Sequence, residues 1–158
     1  MGRSGHLFAY QHYGVTPDVL SSAKSLGGGF PIGAMLTTAT IADHFSVGTH
    51  ATTYGGNLLA SVVAEAVLDV VNQPEVLVGV HERHQWFRNR LEKIGQQYGV
   101  FKEIRGLGLL LGCVMSESWA GKAGEVMKAA HDEGAMVLIA GPDVLRLSLI
   151  HISEPTRR

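Results

Sequence analysis

Apolar and polar positions along this chain follow two rhythms. Short apolar runs bounded by glycine, proline or hydroxyl residues predict strands at Val19–Ala23, Ile32–Thr38, Phe101–Gly106, Leu107–Met115, Met136–Ala140 and Val144–Arg146. Three- and four-residue steps predict helices between them. After Asn57, the residues Leu59, Val62, Val63, Ala66, Val67 and Val70 form one apolar stripe that faces a core and needs a sheet or partner to cover it. Asn72-Gln73-Pro74-Glu75 stops that helix and starts another. Polar caps, a proline in the first turn and a carboxylate at the positive end all favour a new N-terminus there. In the second helix Leu77, Val80, Phe87, Leu91 and Ile94 mark a buried seam, Glu82, Arg83, Arg88, Glu92 and Lys93 fall outside, and Gly99 closes it. Lys122–Glu133 reads as a third helix with Val126, Met127 and Ala130 inward, ended by Gly134. Thr40–Phe45 suggests a short helix. The stretch 2–18 is a connection lining a site, with one or two helical turns around Phe8–Tyr13.

A length of 158 residues with 46% hydrophobic and 17% charged content fits a globule with a real core. A net charge of -1 and no Lys/Arg stripe leave no electrostatic footprint for nucleic acid or for an anionic membrane surface. The single Cys113 cannot form an internal disulfide, no apolar run approaches a membrane span, and the start lacks a signal-peptide pattern. The default location is the cytoplasm. There is no internal repeat and no low-complexity tract.

Candidate chemistry centres on Lys24, in the run Ser21-Ser22-Ala23-Lys24-Ser25-Leu26-Gly27-Gly28-Gly29-Phe30-Pro31-Ile32. Small, weakly solvating neighbours on both sides leave room for a flat molecule to lie against the amine, which can form a Schiff base with a carbonyl. Gly27-Gly28-Gly29 is not a nucleotide loop, because no Gly-Lys-Ser/Thr follows and the spacing is not Gly-x-Gly-x-x-Gly. Thr53-Tyr54-Gly55-Gly56-Asn57 at a helix start offers unpaired N–H groups, a hydroxyl and glycines, as an anion site requires, although Thr and Asn there also serve simply as caps. His81 and His84 sit on a helix at i and i+3 among charged residues, and His12, His44 and His50 have no partner at a ligand spacing, so solvated histidines are expected rather than a metal site. Cys113, in an apolar strand, reads as a core thiol.

Gly2-Arg3-Ser4-Gly5, Phe8-Ala9-Tyr10, Thr16-Pro17-Asp18, Ser22-Ala23-Lys24 with Gly27-Gly28-Gly29-Phe30-Pro31-Ile32, and Thr53-Tyr54-Gly55-Gly56-Asn57 follow one another in a specific order and spacing. That series resembles the class III pyridoxal-phosphate aminotransferases, most nearly those acting on acetylornithine and succinylornithine, from Gly2 to Arg146. The resemblance implies an α/β fold, as a fragment of a fold-type I transferase. Residues 1–96 would be the later part of the large cofactor-binding domain and 97–146 an incomplete small C-terminal domain. It implies that Lys24 carries pyridoxal 5'-phosphate as a Schiff base and that Thr53 bonds the cofactor phosphate from the neighbouring subunit of a homodimer. Thr52, where the family usually has Ser, would touch the substrate, and Arg146 would receive a substrate carboxylate, a role suited to its planar fork. Ala51 stands where the family has Gly. The substrates implied are a small amino acid and a 2-oxo acid.

Met1 reads as an internal methionine within the family's Gly-x-Gly-Arg-Thr-Gly stretch, and 147–158 departs from the family and resembles a sequencing-adapter translation. The expected fragment is inactive and poorly soluble alone, since the aspartate for the pyridine nitrogen, the main phosphate loop and the ring-stacking aromatic lie upstream in similar enzymes. The alternatives are another class III enzyme, of the ornithine or 4-aminobutyrate type or an aminomutase, or a non-catalytic remnant that contributes only a dimer surface.

Overall fold

The computed structural model describes residues 1–148, so His151 and the terminal arginines lie outside the described residues. The chain forms two compact units, Met1–Gly2 with His6–Val76, and Arg3–Gly5 with Leu77 onward. The division between Val76 and Leu77 falls inside the helix Pro74–Tyr98.

In the first unit, β1 (Val19–Ala23) and β2 (Gly33–Thr37) form an antiparallel pair in register from Val19 opposite Thr37 to Ala23 opposite Gly33. The glycine loop joins them, opening with a 3-10 turn at Lys24–Leu26. A short α1 (Ala39–Ala42) follows, then α2 (Leu58–Val71). The expected apolar stripe of α2 is mostly open: Leu59 and Val62 are each 62% exposed and Val70 60%, while Ala60 and Ala64 are buried instead. What α2 packs on within this unit is the 3-10 turn, and the glycine loop comes so close that a Cβ at Gly28 would stand 2.9 Å from Val67 Cγ2. A narrow, close contact of that kind buries alanines and leaves the wider aliphatic face without a cover.

In the second unit α3 (Pro74–Tyr98) leads into β3 (Phe101–Leu107), β4 (Leu110–Met115), α4 (Ala123–Asp132), β5 (Leu138–Ile139) and β6 (Val144–Ser148). The strands make one antiparallel sheet in the order β3-β4-β6-β5. Leu91, Ile104, Leu111, Cys113 and Leu145 form the main core, with Phe87 of α3 and Val126 and Met127 of α4 against it. Both helices thus cover the same sheet face. Val100, Met115 and Ala123 make a second cluster beside Trp119. Of the expected α3 seam, Ile94 turns out to be exposed and Gly95 buried: a Cβ at 95 would already lie 3.2 Å from the Phe101 carbonyl oxygen, so the helix meets β3 at the glycine and rotates its neighbour outward. Strand β6 continues past Arg146, with Leu147 opposite Leu111 and Ser148 opposite Leu110.

Candidate active site

Lys24 closes β1 and opens the 3-10 turn with φ +56, the only positive φ of a non-glycine residue among the described residues. For a long side chain this left-handed backbone costs about 1–3 kcal/mol and persists where surrounding structure imposes it. Here the strand pairing of Ala23 with Gly33 fixes one side, and buried Leu26 and Gly27 fix the other. A side chain at Gly27 would collide with the Phe30 carbonyl, and its methyl would lie 2.7 Å from Ile32 Cγ2. The Lys24 side chain is exposed and makes no hydrogen bond or ion pair among the described residues. Its amine is reachable, as a Schiff-base role requires.

The Thr53 segment leads into α2, where Asn57 is the N-cap and its Oδ1 accepts from the Ala60 N–H at 3.0 Å. Thr52 and Thr53 are exposed in the turn ahead of it, with the Gly55 N–H donating to the Thr52 carbonyl at 3.1 Å. The capping task therefore falls to Asn57, and both threonine hydroxyls stand open. No hydrogen bond joins Lys24 to Thr52 or Thr53 among the described residues.

Arg146 belongs to the second unit, in the inner strand β6, exposed on the face away from the helices. Neighbouring strands place Gly112 on one side of it and Leu138 on the other, and Arg105 lies one strand further on, opposite Gly112. No ion pair holds Arg146 among the described residues, where Arg88 with Glu92 at 2.8 Å is the pair formed.

The remaining candidates resolve as packing. Cys113 is fully buried, and burial pushes its thiol from 9.0 up to about 12, which suits core and not a nucleophile. No cluster of three or more His, Cys, Asp or Glu able to hold a metal occurs among the described residues. His81 and His84 are more than solvated: His81 Nε2 lies 3.1 Å from the Gly5 carbonyl oxygen and His84 Nδ1 2.7 Å from that of Gly108. Their spacing put them on one helix face, but partners 76 and 24 residues away left no local signal. Arg3 Nη1 donates to Ser148 Oγ at 2.7 Å, a partner 145 residues away along the chain.

The pattern of the family described as Aminotransferase class-III matches residues 1–154. The chain belongs to this family. It is 67% identical over 148 residues to acetylornithine aminotransferase 1 of Pseudomonas syringae pv. tomato, covering 94% of this chain and 36% of that protein. The succinylornithine transaminase/acetylornithine aminotransferase of Pseudomonas aeruginosa is likewise 67% identical, with the same coverage of 94% and 36%. Among solved structures, the N-acetylornithine aminotransferase of Stenotrophomonas maltophilia superposes with a TM-score of 0.83 at 42% identity, over 92% of this chain and 37% of that one. The chain thus spans about 36% of the length of the class-III relatives it matches. No described helix is long and apolar enough to cross a membrane.

Proposed function

We propose that the complete protein transfers an amino group between N-acetylornithine or N-succinylornithine and 2-oxoglutarate in arginine metabolism, with pyridoxal 5'-phosphate as cofactor, as a cytoplasmic homodimer. Residues 1–96 belong in this reading to the large cofactor-binding domain and 97–146 to the small one. The observation that carries it is the left-handed, exposed Lys24 at the end of β1, set in the family's glycine motif.

The residues fit such a cofactor chemically. Lys24 offers a free primary amine for an aldehyde, and beyond it Gly29, at φ +117, has open space where a side chain would stand. Thr53 offers an open hydroxyl near the positive end of α2, suited to a phosphate presented by the neighbouring subunit. When bound, the cofactor supplies an electron sink for the pair left on the substrate carbon.

Lys24 Nζ would hold the cofactor through its aldehyde carbon. As a free amine, Nζ would accept the proton from the amine-bearing carbon of the substrate and return it, as base and then acid. The Thr52 hydroxyl would contact the substrate, and the Arg146 guanidinium would receive a carboxylate through two parallel N–H groups.

The test is Lys24→Ala in the complete protein, assayed with N-acetylornithine, N-succinylornithine, ornithine and 4-aminobutyrate as donors to 2-oxoglutarate. The parent should prefer the acylated ornithines and give a borohydride-trapped cofactor adduct on the Lys24 peptide. The variant should lose turnover, adduct and cofactor absorbance together. Normal turnover without Lys24 would sink the assignment, and a preference for free ornithine or 4-aminobutyrate would overturn the substrate class.

A further inference from the structure

The sheet of the second unit carries a second arginine in the row of Arg146. Strand pairing sets Arg105 of β3, Gly112 of β4, Arg146 of β6 and Leu138 of β5 side by side. Residues paired across strands leave by one face, and this face is opposite the one on which Ile104, Leu111, Cys113 and Leu145 meet the helices. With strands about 4.8 Å apart, the Cα atoms of Arg105 and Arg146 stand about 10 Å apart with only a glycine between them.

β3 is an outer strand of the sheet, so an arginine on it is free to turn its charge outward into water. Arg105 leans inward instead. A Cβ built on Gly112 would stand 3.7 Å from Arg105 Cγ and 3.9 Å from Arg105 Nε, so the side chain lies across the bare glycine, on the side of its strand that faces Arg146. Any larger residue at 112 would take up the space that the guanidinium crosses. Among the described residues neither Arg105 nor Arg146 makes an ion pair or a hydrogen bond. Glu103, two residues before Arg105 on the same face, is the carboxylate that the next row sets nearby, and it pairs with neither arginine.

We propose that Arg105 is a second binding residue for the substrate carboxylate. Its guanidinium, laid across Gly112, closes on the carboxylate from the side opposite Arg146. A carboxylate has acceptor sites for two planar forks at once, and two guanidinium groups leaning toward each other repel until an anion lies between them. The row therefore prefers a carboxylate to a neutral group. The group held is the carboxylate next to the reacting carbon, which the amino acid and the 2-oxo acid have in common, so Arg105 serves both. This rests on the carboxylate role given to Arg146 under the proposed function.

The experiment is steady-state kinetics of the complete holoenzyme, with N-acetylornithine and 2-oxoglutarate varied in turn, for Arg105→Ala, Arg105→Lys, Gly112→Val and Arg146→Ala, each with its thermal midpoint. Arg105→Ala should raise KM for both substrates about 5- to 10-fold with kcat within about twofold, and Arg105→Lys, which keeps the charge and loses the fork, about threefold. Gly112→Val keeps both arginines but sets a side chain between them, and should raise both KM values by about threefold or more. The Arg105→Ala deficit should also shrink as salt is added. If Arg146→Ala raises KM while Arg105→Ala leaves both values within about twofold, this inference fails alone. A rise confined to one substrate would mean that the shared carboxylate is not the group held, and would overturn it. A lowered midpoint and kcat with KM unmoved would make Arg105 merely structural and overturn it as well. If Arg105→Ala does not fold, unchanged KM values in both Arg105→Lys and Gly112→Val overturn it. An unchanged KM in Arg146→Ala, or no transamination by the parent, removes the proposed function and this inference with it.

Discussion

His84 Nδ1 stands 2.7 Å from the carbonyl oxygen of Gly108, joining α3 to the turn between β3 and β4. Both groups are partly buried, so losing the donor leaves a carbonyl with neither protein nor full solvent to satisfy it. His84→Ala should cost about 1–2 kcal/mol in urea unfolding of this chain followed by circular dichroism. Gly108→Ala should cost more, at least about 2 kcal/mol, because it adds both a left-handed alanine and a collision with the Arg3 and Ser4 backbone. Equal, negligible losses in both variants would show that the turn is held by other means.

Lys24 couples a strained backbone to its side-chain chemistry, and the two can be separated by substitution. Lys24→Ala removes the amine but keeps a Cβ at φ +56, whereas Lys24→Gly removes both. Glycine should make the chain about 1 kcal/mol more stable than alanine at this position, the relief of strain exceeding the extra chain entropy of the unfolded glycine. An alanine variant as stable as the glycine variant would mean that the loop relaxes out of the left-handed region.

What the sequence made legible is local. The strand Val19–Ala23, the start of α2 at Asn57 and of α3 at Pro74 are each written in residues adjacent to the feature, through β-forming runs, a capping side chain and a first-turn proline. The motif order likewise pointed to the class-III family. Burial was harder to read. The α2 stripe has the right period for a core, but period states only that a face is apolar, not that anything within reach covers it. Ile94 lost its expected place to Gly95 because close approach to Phe101 is decided by a strand beyond the helix. The partners of Arg3, His81 and His84 lie far along the chain, and the left-handed backbone of Lys24 is imposed by its neighbours and contradicts the preference of lysine itself.

Cys113 predicts a specific alkaline weakness. Its thiol ionises near 9 in the unfolded chain and near 12 in the folded one, because burial opposes the thiolate. Between those values the unfolded state has given up the proton and the folded state has kept it. The contribution is therefore intact below pH 9 and declines as pH rises toward 12, by up to about 4 kcal/mol in all. Cys113→Ala should start from lower stability, through the cavity it leaves, yet lose less between pH 8.5 and 10.5 than the parent in paired urea titrations, by about 2 kcal/mol over that window. A disulfide-exchange reagent should label the parent only as fast as it unfolds. Rapid labelling of the folded chain, or parallel pH curves, would contradict the buried thiol.

The open face of α2 should dominate the solution behaviour of this chain. Leu58 is 82% exposed, and with Leu59, Val62 and Val70 it lies on one helix, so the hydrophobic effect that should bury these side chains remains unspent. At micromolar concentration and above the chain should self-associate, with sedimentation coefficients that rise with loading. Leu59→Glu with Val62→Lys places charges on that face without disturbing Ala60 or Ala64, which make the packed side. The double variant should sediment as a monomer with unchanged helicity and a stability within about 0.5 kcal/mol of the parent. In the complete protein the expectation reverses: if the remainder of the large domain covers this face, the same two charges become buried and cost several kcal/mol. Similar, small effects in both settings would show that α2 is a surface helix in the whole enzyme too, and that its apolar stripe serves something other than the core.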